Sequence, residues 1–325
     1  MRIEDFKSGN YLQQYKYKCF IPSKINHPFT WEDPQLNELL SEANKKIEEL
    51  NSFSINNPEL KSFLPLFIAK ESLDSSRIDG IKINAEDVFL DEAEITEVKK
   101  EDWREVQNYI KAMNICLDEM NEIPLSTRIL NLAHQIIFSG ARGEKKSPGE
   151  FRKSQNWVGG ATINEAIYIP PVHGEISSLM GDLENFLHND YLEIPELIKA
   201  AIAHYQFITI HPYVDGNGRI GRLLTTLYLA SCGLLSKPTL YLSSYFEKRK
   251  IPYHHHLMLA RKNDDLMQWI KFFLEAVIES ASNGIKTFHS ILEFKKETEA
   301  EGNTSQIDIR NKEDIFYMYI KLFSY

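Results

Sequence analysis

The strongest structural signal in this chain of 325 residues is the segment His211-Pro212-Tyr213-Val214-Asp215-Gly216-Asn217-Gly218-Arg219-Ile220-Gly221-Arg222. It places a histidine, a carboxylate, an amide between two glycines and two arginines in one short turn. Beyond the turn, apolar residues recur at helical spacing, at Ile220, Leu223, Leu224 and Leu227. The spacing predicts a largely buried helix over residues 219–232, with the glycine-rich turn at its N-terminus.

The glycine-rich turn has the composition of an anion site. Gly216 and Gly218 allow positive φ and close approach of backbone N–H groups to an anion. A helix N-terminus adds free N–H donors and the positive end of the helix dipole. Arg219 and Arg222 share one face of the first turn and can bind further phosphate oxygens. Asp215 would repel a bare phosphate, and a Mg²⁺ ion bridging carboxylate and phosphates removes that conflict. The turn therefore predicts a nucleotide site.

His211 precedes the anion site and supplies a base. Pro212 disfavours the helical region for the residue before it, which predicts extended backbone at His211. A histidine with an ordinary pKa of about 6.5 accepts a proton at neutral pH. A base beside a bound triphosphate indicates that a hydroxyl from another molecule attacks phosphorus.

These residues resemble the signature of the Fic family, H-P-F-x-[D/E]-G-N-G-R-x-x-R, with Tyr213 in place of the usual phenylalanine. Residues 148–152 and 155–160 resemble the family's approach to its substrate flap, and residues 167–171 resemble the flap itself. The resemblance extends over residues 30–280. It implies an all-α fold, the Fic-fold helical bundle with a small β-hairpin flap, preceded by an N-terminal helical region.

The resemblance also implies an activity, which is transfer of AMP from ATP to a serine, threonine or tyrosine hydroxyl of a target protein with Mg²⁺ as cofactor. His211 would be the general base, and Asp215 would hold the metal ion. The backbone of Gly216 and Gly218 would form the anion hole. The remaining roles are contacts to the α-phosphate for Asn217, the β-phosphate region for Arg219, the γ-phosphate for Arg222 and the adenine for Tyr253.

Two other functions stay open. The chain could be a catalytically silent ATP-sensing interaction module, or a Fic-type transferase of another phosphate-linked group. The complete motif favours an enzyme over a sensor, and the intact Arg219 and Arg222 favour a triphosphate substrate.

A second motif lies far upstream. Residues 63–80 are predicted to form a helix that closes on Ser75-Ser76-Arg77-Ile78-Asp79-Gly80. Ser75 and Asp79 share a helix face, and Gly80 is a natural C-cap. The segment resembles the family's inhibitory helix, [S/T]-x-x-x-E-[G/N], whose acid pairs with the second motif arginine and blocks the γ-phosphate. The resemblance therefore implies autoinhibition through Ser75, Asp79 and Gly80, acting on Arg222.

The acid of this motif departs from the family pattern, because Asp79 stands where the family has glutamate. Aspartate is one methylene shorter, roughly 1.5 Å of reach. A stretched or water-bridged contact with Arg222 should be weaker, and each 1.4 kcal/mol lost relaxes inhibition about tenfold. We therefore expect partial autoinhibition.

The flap is predicted to be a hairpin of residues 161–163 and 167–169 around a turn at 164–166. An ordinary surface hairpin is one interpretation. The other is a docking edge, at Ile163, Ile167, Tyr168 and Ile169, that takes the target segment as an added strand.

The rest of the chain is predicted to be mostly helical, with helices at 33–51, 63–80, 103–121, 126–139, 175–188 and 193–208. The residues before Trp31 are expected to form an irregular arm. We expect an N-terminal helical region at 1–105, a catalytic domain at 106–285 and a helical tail at 286–325. The tail is too short for a complete winged helix, although it could be part of one.

Composition limits the class of protein. A hydrophobic content of 43% and a net charge of −9 are those of a soluble globular chain and argue against broad nucleic-acid binding. No apolar run reaches membrane-spanning length. Three scattered cysteines and a polar N-terminus favour the cytoplasm. Self-modification and a homodimer stay open.

Overall fold

The structure is a computed structural model that describes residues 1–140 and 146–300. Over these residues the chain is mostly helical, with one small antiparallel sheet of strands β1 (Gly9–Gln13) and β2 (Lys18–Pro22). The all-α class is therefore confirmed. The α-helices described are α1 Pro34–Asn56, α2 Leu64–Ile78, α3 Lys100–Glu119, α4 Thr127–Ile137, α5 Ile176–His188, α6 Glu196–Ile210, α7 Asn217–Ser231, α8 Ser243–Lys248, α9 Lys250–Asn263 and α10 Leu266–Ala300.

The core is centred on α6, which packs against α5, α7 and α10. From Leu197 to Ile210 every residue of α6 except Ile208 is buried. A helix that is apolar all round lies inside a protein, and α6 comes close to that pattern, with Lys199, His204 and Gln206 among its buried polar exceptions. Helix α7 is buried from Asn217 to Leu229 apart from Gly218. The C-terminus of α6 and the N-terminus of α7 are thus held rigidly beside each other, and the signature segment connects them.

Each helix predicted from the sequence is present, with shifted ends. The segment predicted as one helix at 63–80 begins as a 3-10 helix, Pro58–Phe63, and continues as α2. Asp79 caps α2, and Gly80 follows with φ of 94°. Helix α2 contacts α3, α7 and α8, so its C-terminal end lies against the first turn of α7.

The arm predicted before Trp31 is not irregular. Strands β1 and β2 form a hairpin, and β2 also meets the flap because the Phe20 N–H donates to the Ile169 carbonyl at 2.9 Å. The sequence did not predict β1 because most of its residues are exposed, so it lacks the alternation of apolar and polar residues that marks a half-buried strand.

The flap hairpin also differs from its prediction. The first arm is not residues 161–163 but Val158, which forms an isolated antiparallel bridge with Tyr168. Ile163–Glu165 form a 3-10 turn. Gly159 and Gly160, with φ of 73° and 75°, make the reversal. The flap is therefore a loop held by one bridge.

The domain division stays a prediction. Its first boundary, between residues 105 and 106, falls inside α3, and its second falls inside α10. Residues 301–325, with the rest of the predicted tail and any part of a winged helix, lie outside the described residues.

Candidate active site

His211 stands at the C-cap of α6, and its backbone is not extended as Pro212 predicted. It has φ of 53° and ψ of 58°, the left-handed conformation that ends a helix. Its N–H still donates to the Phe207 carbonyl at 3.0 Å. The capping geometry outweighs the preference imposed by the proline and turns the chain sharply into the motif loop.

The imidazole of His211 has one nitrogen engaged. Nδ1 lies 3.4 Å from the Ile208 carbonyl, to which it can only donate. Nε2 therefore carries the lone pair. Burial lowers the pKa of His211 to about 4, and the positive charges of Arg152 and Arg261 act in the same direction. The ring is neutral at pH 7 and is ready to accept a proton.

Asn217 fixes the loop that follows. Its side-chain oxygen accepts from the Tyr213 N–H at 2.8 Å, and its amide nitrogen donates to the Tyr213 carbonyl at 2.9 Å. Both ends of the amide thus bind the backbone of the loop. One amide hydrogen is left for other contacts, so the α-phosphate role of Asn217 stays a prediction and a loop-closing role is added to it.

Gly216 begins α7 with φ of 74°. A β-carbon there would come within 2.3 Å of the Phe138 ring, so the position requires glycine. Its N–H, predicted to face an anion, donates to the Asp215 carboxylate at 2.7 Å. A carboxylate already occupies this part of the predicted anion hole.

Asp215 is half-exposed at the entrance of the site. Its Oδ2 lies 3.0 Å from the Lys146 ammonium. Although partial burial opposes it, the contacts from Lys146 and Gly216 hold the pKa of Asp215 below its usual range. The carboxylate is ionised and already attracts a cation.

Arg222 is buried and bound to the end of α2. Its Nε donates to Ser75 Oγ, and its Nη2 donates to the Ser75 carbonyl, both at 2.8 Å. Nη2 also lies 2.9 Å from Asp79 Oδ2. Although burial opposes it, the Asp79 carboxylate raises the pKa of Arg222 further. We expected the shorter aspartate to make a stretched contact with Arg222. That expectation is wrong, because Asp79 and Arg222 form a direct ion pair.

Arg219 shares the same carboxylate. Its Nε is 3.6 Å from Asp79 Oδ2, and its Nη1 donates to Glu105 at 2.6 Å. Nε itself is buried without a hydrogen-bond partner among the described residues. Between the arginines, a β-carbon on Gly218 would lie 2.9 Å from Asp79 Oδ1. Asp79 therefore fits into a cradle that only glycine leaves open.

Tyr253 does not present a free ring face to a base. It is 1% exposed, stacks on Phe246, and its hydroxyl lies 2.8 Å from His204 Nε2. The adenine contact assigned to it by resemblance is not supported by this placement. Tyr253 is instead part of the buried layer beneath Arg222.

The predicted docking residues of the flap fall into two groups. Ile167 is 66% exposed, whereas Tyr168 is buried and its hydroxyl donates to the Thr209 carbonyl. The Ile169 carbonyl is taken by Phe20, and Ile163 lies in the 3-10 turn. Only Ile167 is well placed to meet another chain, while Tyr168 anchors the flap to α6.

Sequence reasoning gave no role to two residues that build the site. Arg152, 2% exposed, donates to the carbonyls of His211, Ser154 and Pro171 and joins the motif loop to the flap. His134 accepts from the Gly149 N–H at 2.9 Å and lies 3.2 Å from the Asp215 carbonyl. The family-like segment at 148–152 was a signal for Arg152, and nothing in the sequence around His134 was one.

Together these residues form an anion receptor next to a neutral base. Two guanidiniums and the N-terminus of α7 converge, and carboxylates of Asp79 and Asp215 satisfy part of this positive potential. Among the described residues, no three histidine, cysteine or acidic side chains are grouped to hold a metal by themselves. Asp215 alone suits Mg²⁺, which typically takes one or two carboxylates together with phosphate oxygens.

Comparison with known proteins gives two family matches. A model of the Fic/DOC family matches residues 124–229, and a model of the Fic/DOC family N-terminal region matches residues 37–118. Together they span more than half of the chain. None of the helices in the described ranges is both long and apolar enough to cross a membrane.

Curated relatives include the protein adenylyltransferases Fic of Drosophila willistoni and Drosophila erecta. The first is 33% identical over 167 residues, 51% of this chain and 30% of that protein. The second is 33% identical over 128 residues, 39% of this chain and 23% of that protein. The similarity thus spans less than a third of either relative.

Two solved structures share the fold. A Fic family protein from Desulfovibrio desulfuricans G20 superposes with a TM-score of 0.67 at 23% identity, over 82% of this chain and 78% of that one. A Fic domain containing signaling protein from Bacteroides thetaiotaomicron VPI-5482 gives 0.60 at 20% identity, over 78% and 96%. With two family models matched across adjoining regions and the same fold in both structures, this chain belongs to the Fic/DOC family.

Proposed function

We propose that this protein is a protein adenylyltransferase, which moves AMP from ATP to a hydroxyl of a target protein and is held back by its own α2 helix. The observation that carries the proposal is a neutral histidine with a free Nε2 beside an anion receptor whose arginines are bound by Asp79. The names of the curated relatives support AMP as the transferred group.

His211 acts as the base in this proposal. Nε2 takes the proton of the incoming hydroxyl, whose oxygen forms a bond to the α-phosphorus as the bond to the bridging oxygen breaks and pyrophosphate leaves. Burial keeps the pKa of His211 near 4, so the ring is neutral at pH 7 and Nε2 has a free lone pair for that proton. Mg²⁺ held by Asp215 would offset the charge of the triphosphate and of the leaving pyrophosphate.

Asp79 is the proposed inhibitor. Its carboxylate occupies Arg222 Nη2, where the γ-phosphate would bind, and lies within 3.6 Å of Arg219. ATP can place its phosphates on these arginines only after the carboxylate withdraws. Each tenfold of inhibition corresponds to about 1.4 kcal/mol of this competition.

Intact-mass spectrometry after incubation with ATP and Mg²⁺ tests the proposal, both on the protein alone and with a lysate-derived protein fraction as acceptor. We expect Asp79→Gly to gain an adenylyl group faster than the wild type. The double variant Asp79→Gly with His211→Ala should gain none while still binding ATP. ATP binding without transfer in Asp79→Gly, with either acceptor, would favour the ATP-sensing module, and a gain of phosphate alone would show another transferred group.

A further inference from the structure

A large cleft opens at the end of the molecule opposite the motif. It has a volume of about 680 Å³, within the range of roughly 300–1,000 Å³ typical of small-molecule sites. Helix α6 runs from this cleft to His211, and α7 runs from the anion receptor back to it. Each helix has 15 residues, so about 22 Å separates the two ends. The cleft is a separate place from the active site.

The cleft contains a buried charge without adequate partners. Lys199, on the first turn of α6, lines the cleft with only 3% of its side chain exposed. The nearest carboxylate, Glu196, is 3.8 Å away, beyond hydrogen-bond distance. Glu196 also accepts a close hydrogen bond from the Tyr228 hydroxyl. Among the described residues no acceptor lies within hydrogen-bond distance of the Lys199 ammonium, so its hydrogens are left to water or to a ligand in the cleft.

A buried ammonium is costly unless an acceptor or an opposite charge meets it. The cleft offers the rest of a binding site around this group, since an apolar wall of Leu117, Leu125, Leu187 and Leu235 faces into it. An apolar wall with one polar anchor is the usual construction of a small-molecule pocket. The surroundings of Lys199 thus suit an anion with an apolar body.

The charge of the cleft limits that anion to one negative charge. Asp190, Glu196 and Lys237 also line it, so two carboxylates face two ammonium groups, and the cleft has no excess positive charge to hold a phosphate dianion. A carboxylate, with one charge and two acceptor oxygens, can bind Lys199 without needing that excess. We propose that this cleft is a second ligand site, which binds a small monocarboxylate with an aliphatic or aromatic body through Lys199.

Isothermal titration calorimetry without nucleotide tests the site, with hexanoate as the probe and 1-hexanol as its uncharged counterpart. We expect the wild type to bind hexanoate more tightly than 1-hexanol, and Lys199→Met to lose about ten- to a hundredfold of hexanoate affinity, the range of a hydrogen bond to a charged group. The affinity for 1-hexanol should stay. Methionine has a similar length and removes a buried charge, so the variant should fold.

Two further variants locate the anion. Lys237→Met removes the other lysine that lines the cleft and should leave hexanoate binding within about twofold. Ala230→Trp places a large side chain in the cleft while Lys199 is kept and should abolish binding of both probes. The proposal is overturned if the wild type binds no hexanoate, if Lys199→Met binds it equally well, if Lys237→Met loses as much, or if inorganic phosphate displaces it.

Discussion

Gly216 shows how one position combines backbone strain and close packing. It has φ of 74°, and a β-carbon would lie 2.3 Å from Phe138. The left-handed conformation costs about 1–2 kcal/mol for a residue with a β-carbon, and overpacking adds about 1–3. We expect Gly216→Ala to lower the free energy of unfolding by about 2–5 kcal/mol, measured by urea denaturation.

Gly181 is the matched control for Gly216. It lies inside α5, and an added β-carbon there meets open space. Gly181→Ala should therefore stabilise the protein by about 0.4–1 kcal/mol. Equal effects of the two substitutions would show that the conformation of Gly216 carries no strain for alanine.

Arg152 is the second position where a single side chain sets the geometry. Its guanidinium donates to three carbonyls, one in the motif loop and two in or beside the flap. Lysine has one ammonium and cannot reproduce the planar fork that reaches them. We expect Arg152→Lys to lose about 2–4 kcal/mol of stability, since buried carbonyls lose their donors. Differential scanning calorimetry measures this.

Lys153 provides the comparison for Arg152. Its side chain is 83% exposed and, within the described parts of the chain, pairs with Glu150 alone, and exposed pairs contribute at most about 1 kcal/mol. Lys153→Met should unfold at nearly the wild-type temperature. An Arg152→Lys protein with the same unfolding temperature would mean that the flap is held by other contacts.

At the scale of elements, the end of α2 binds the start of α7 through two residues. Arg222 donates to Ser75 Oγ as well as to Asp79. On the proposed function, Ser75→Ala should speed self-modification, though less than Asp79→Gly does, because the Ser75 carbonyl still accepts from Nη2. A hydrogen bond to a charged group contributes about 1.5 kcal/mol or more, so its loss should raise the rate of self-modification about tenfold.

Ser76 separates this effect from general loosening of α2. Its hydroxyl is buried and has no hydrogen-bond partner among the described residues. Ser76→Ala should therefore leave the transfer rate unchanged. The rates follow from intact mass over time, and equal acceleration by both substitutions would exclude a specific role for Ser75.

The flap has one residue that anchors it, Tyr168, and one that is exposed to other chains, Ile167. Tyr168→Phe removes the hydroxyl that donates to Thr209 and should cost about 1 kcal/mol of stability with little change in the apparent KM for a target. Ile167→Lys alters an exposed side chain and should raise that KM while the unfolding temperature stays. The reverse pattern in thermal unfolding and transfer kinetics would contradict the division.

The sequence predicted those elements whose signal is periodic and local. Helix α7 follows from four apolar residues at helical spacing, and the end of α2 follows from Gly80. The N-terminal hairpin was missed because β1 is exposed along most of its length and is stabilised by strand β2. The bridge at Val158 depends on the positive φ of Gly159 and Gly160. In the sequence alone, two adjacent glycines are equally typical of an open loop.

The candidate site divides in the same way. The pairing of Asp79 with Arg222 was expected from motifs alone, whereas the contacts of Ser75 with Arg222 were not. The direct ion pair was not, because side-chain length does not show how closely two helices approach. Tyr253 carried an adenine role by resemblance, yet its burial is decided by α9 packing on α10. Arg152 and His134 act through contacts with distant backbone, and only the family-like segment at 148–152 gave a local signal, for Arg152.

The whole molecule contains several ionisable groups whose charges are suppressed. Burial lowers the pKa of His134 and of His211 to about 4, and that of His204 to about 3. In the other direction, burial raises the pKa of Glu71, which accepts from Ser243, to about 7. The histidines are neutral in the folded protein at pH 7.

These shifts give the stability a pH dependence with a definite sign. Between pH 6.5 and 4.5 the three histidines bind protons in the unfolded chain but not in the folded chain. The folded protein therefore loses stability as the pH falls through this range. Glu71 binds its proton only in the folded state over that window and opposes one of the three. For these four groups the difference is two net protons, or about 2–3 kcal/mol of stability lost for each unit by which the pH falls. Burial also lowers the pKa of His254 and of His256, which adds to the slope in the same direction. Thermal unfolding from pH 7.5 to 4.5 measures this slope.

Single variants separate the contributions to the slope. His204→Gln removes one buried group, and with it one of the two net protons, so it should flatten the slope by at most about one half, whereas His255→Gln, at an exposed position, should not change it. Glu71→Gln removes the opposing proton, so its slope should be steeper than that of the wild type. A wild-type unfolding temperature that rises from pH 6.5 to 4.5 would contradict the neutral buried histidines, and with them the assignment of His211 as a base that is free of its proton at pH 7.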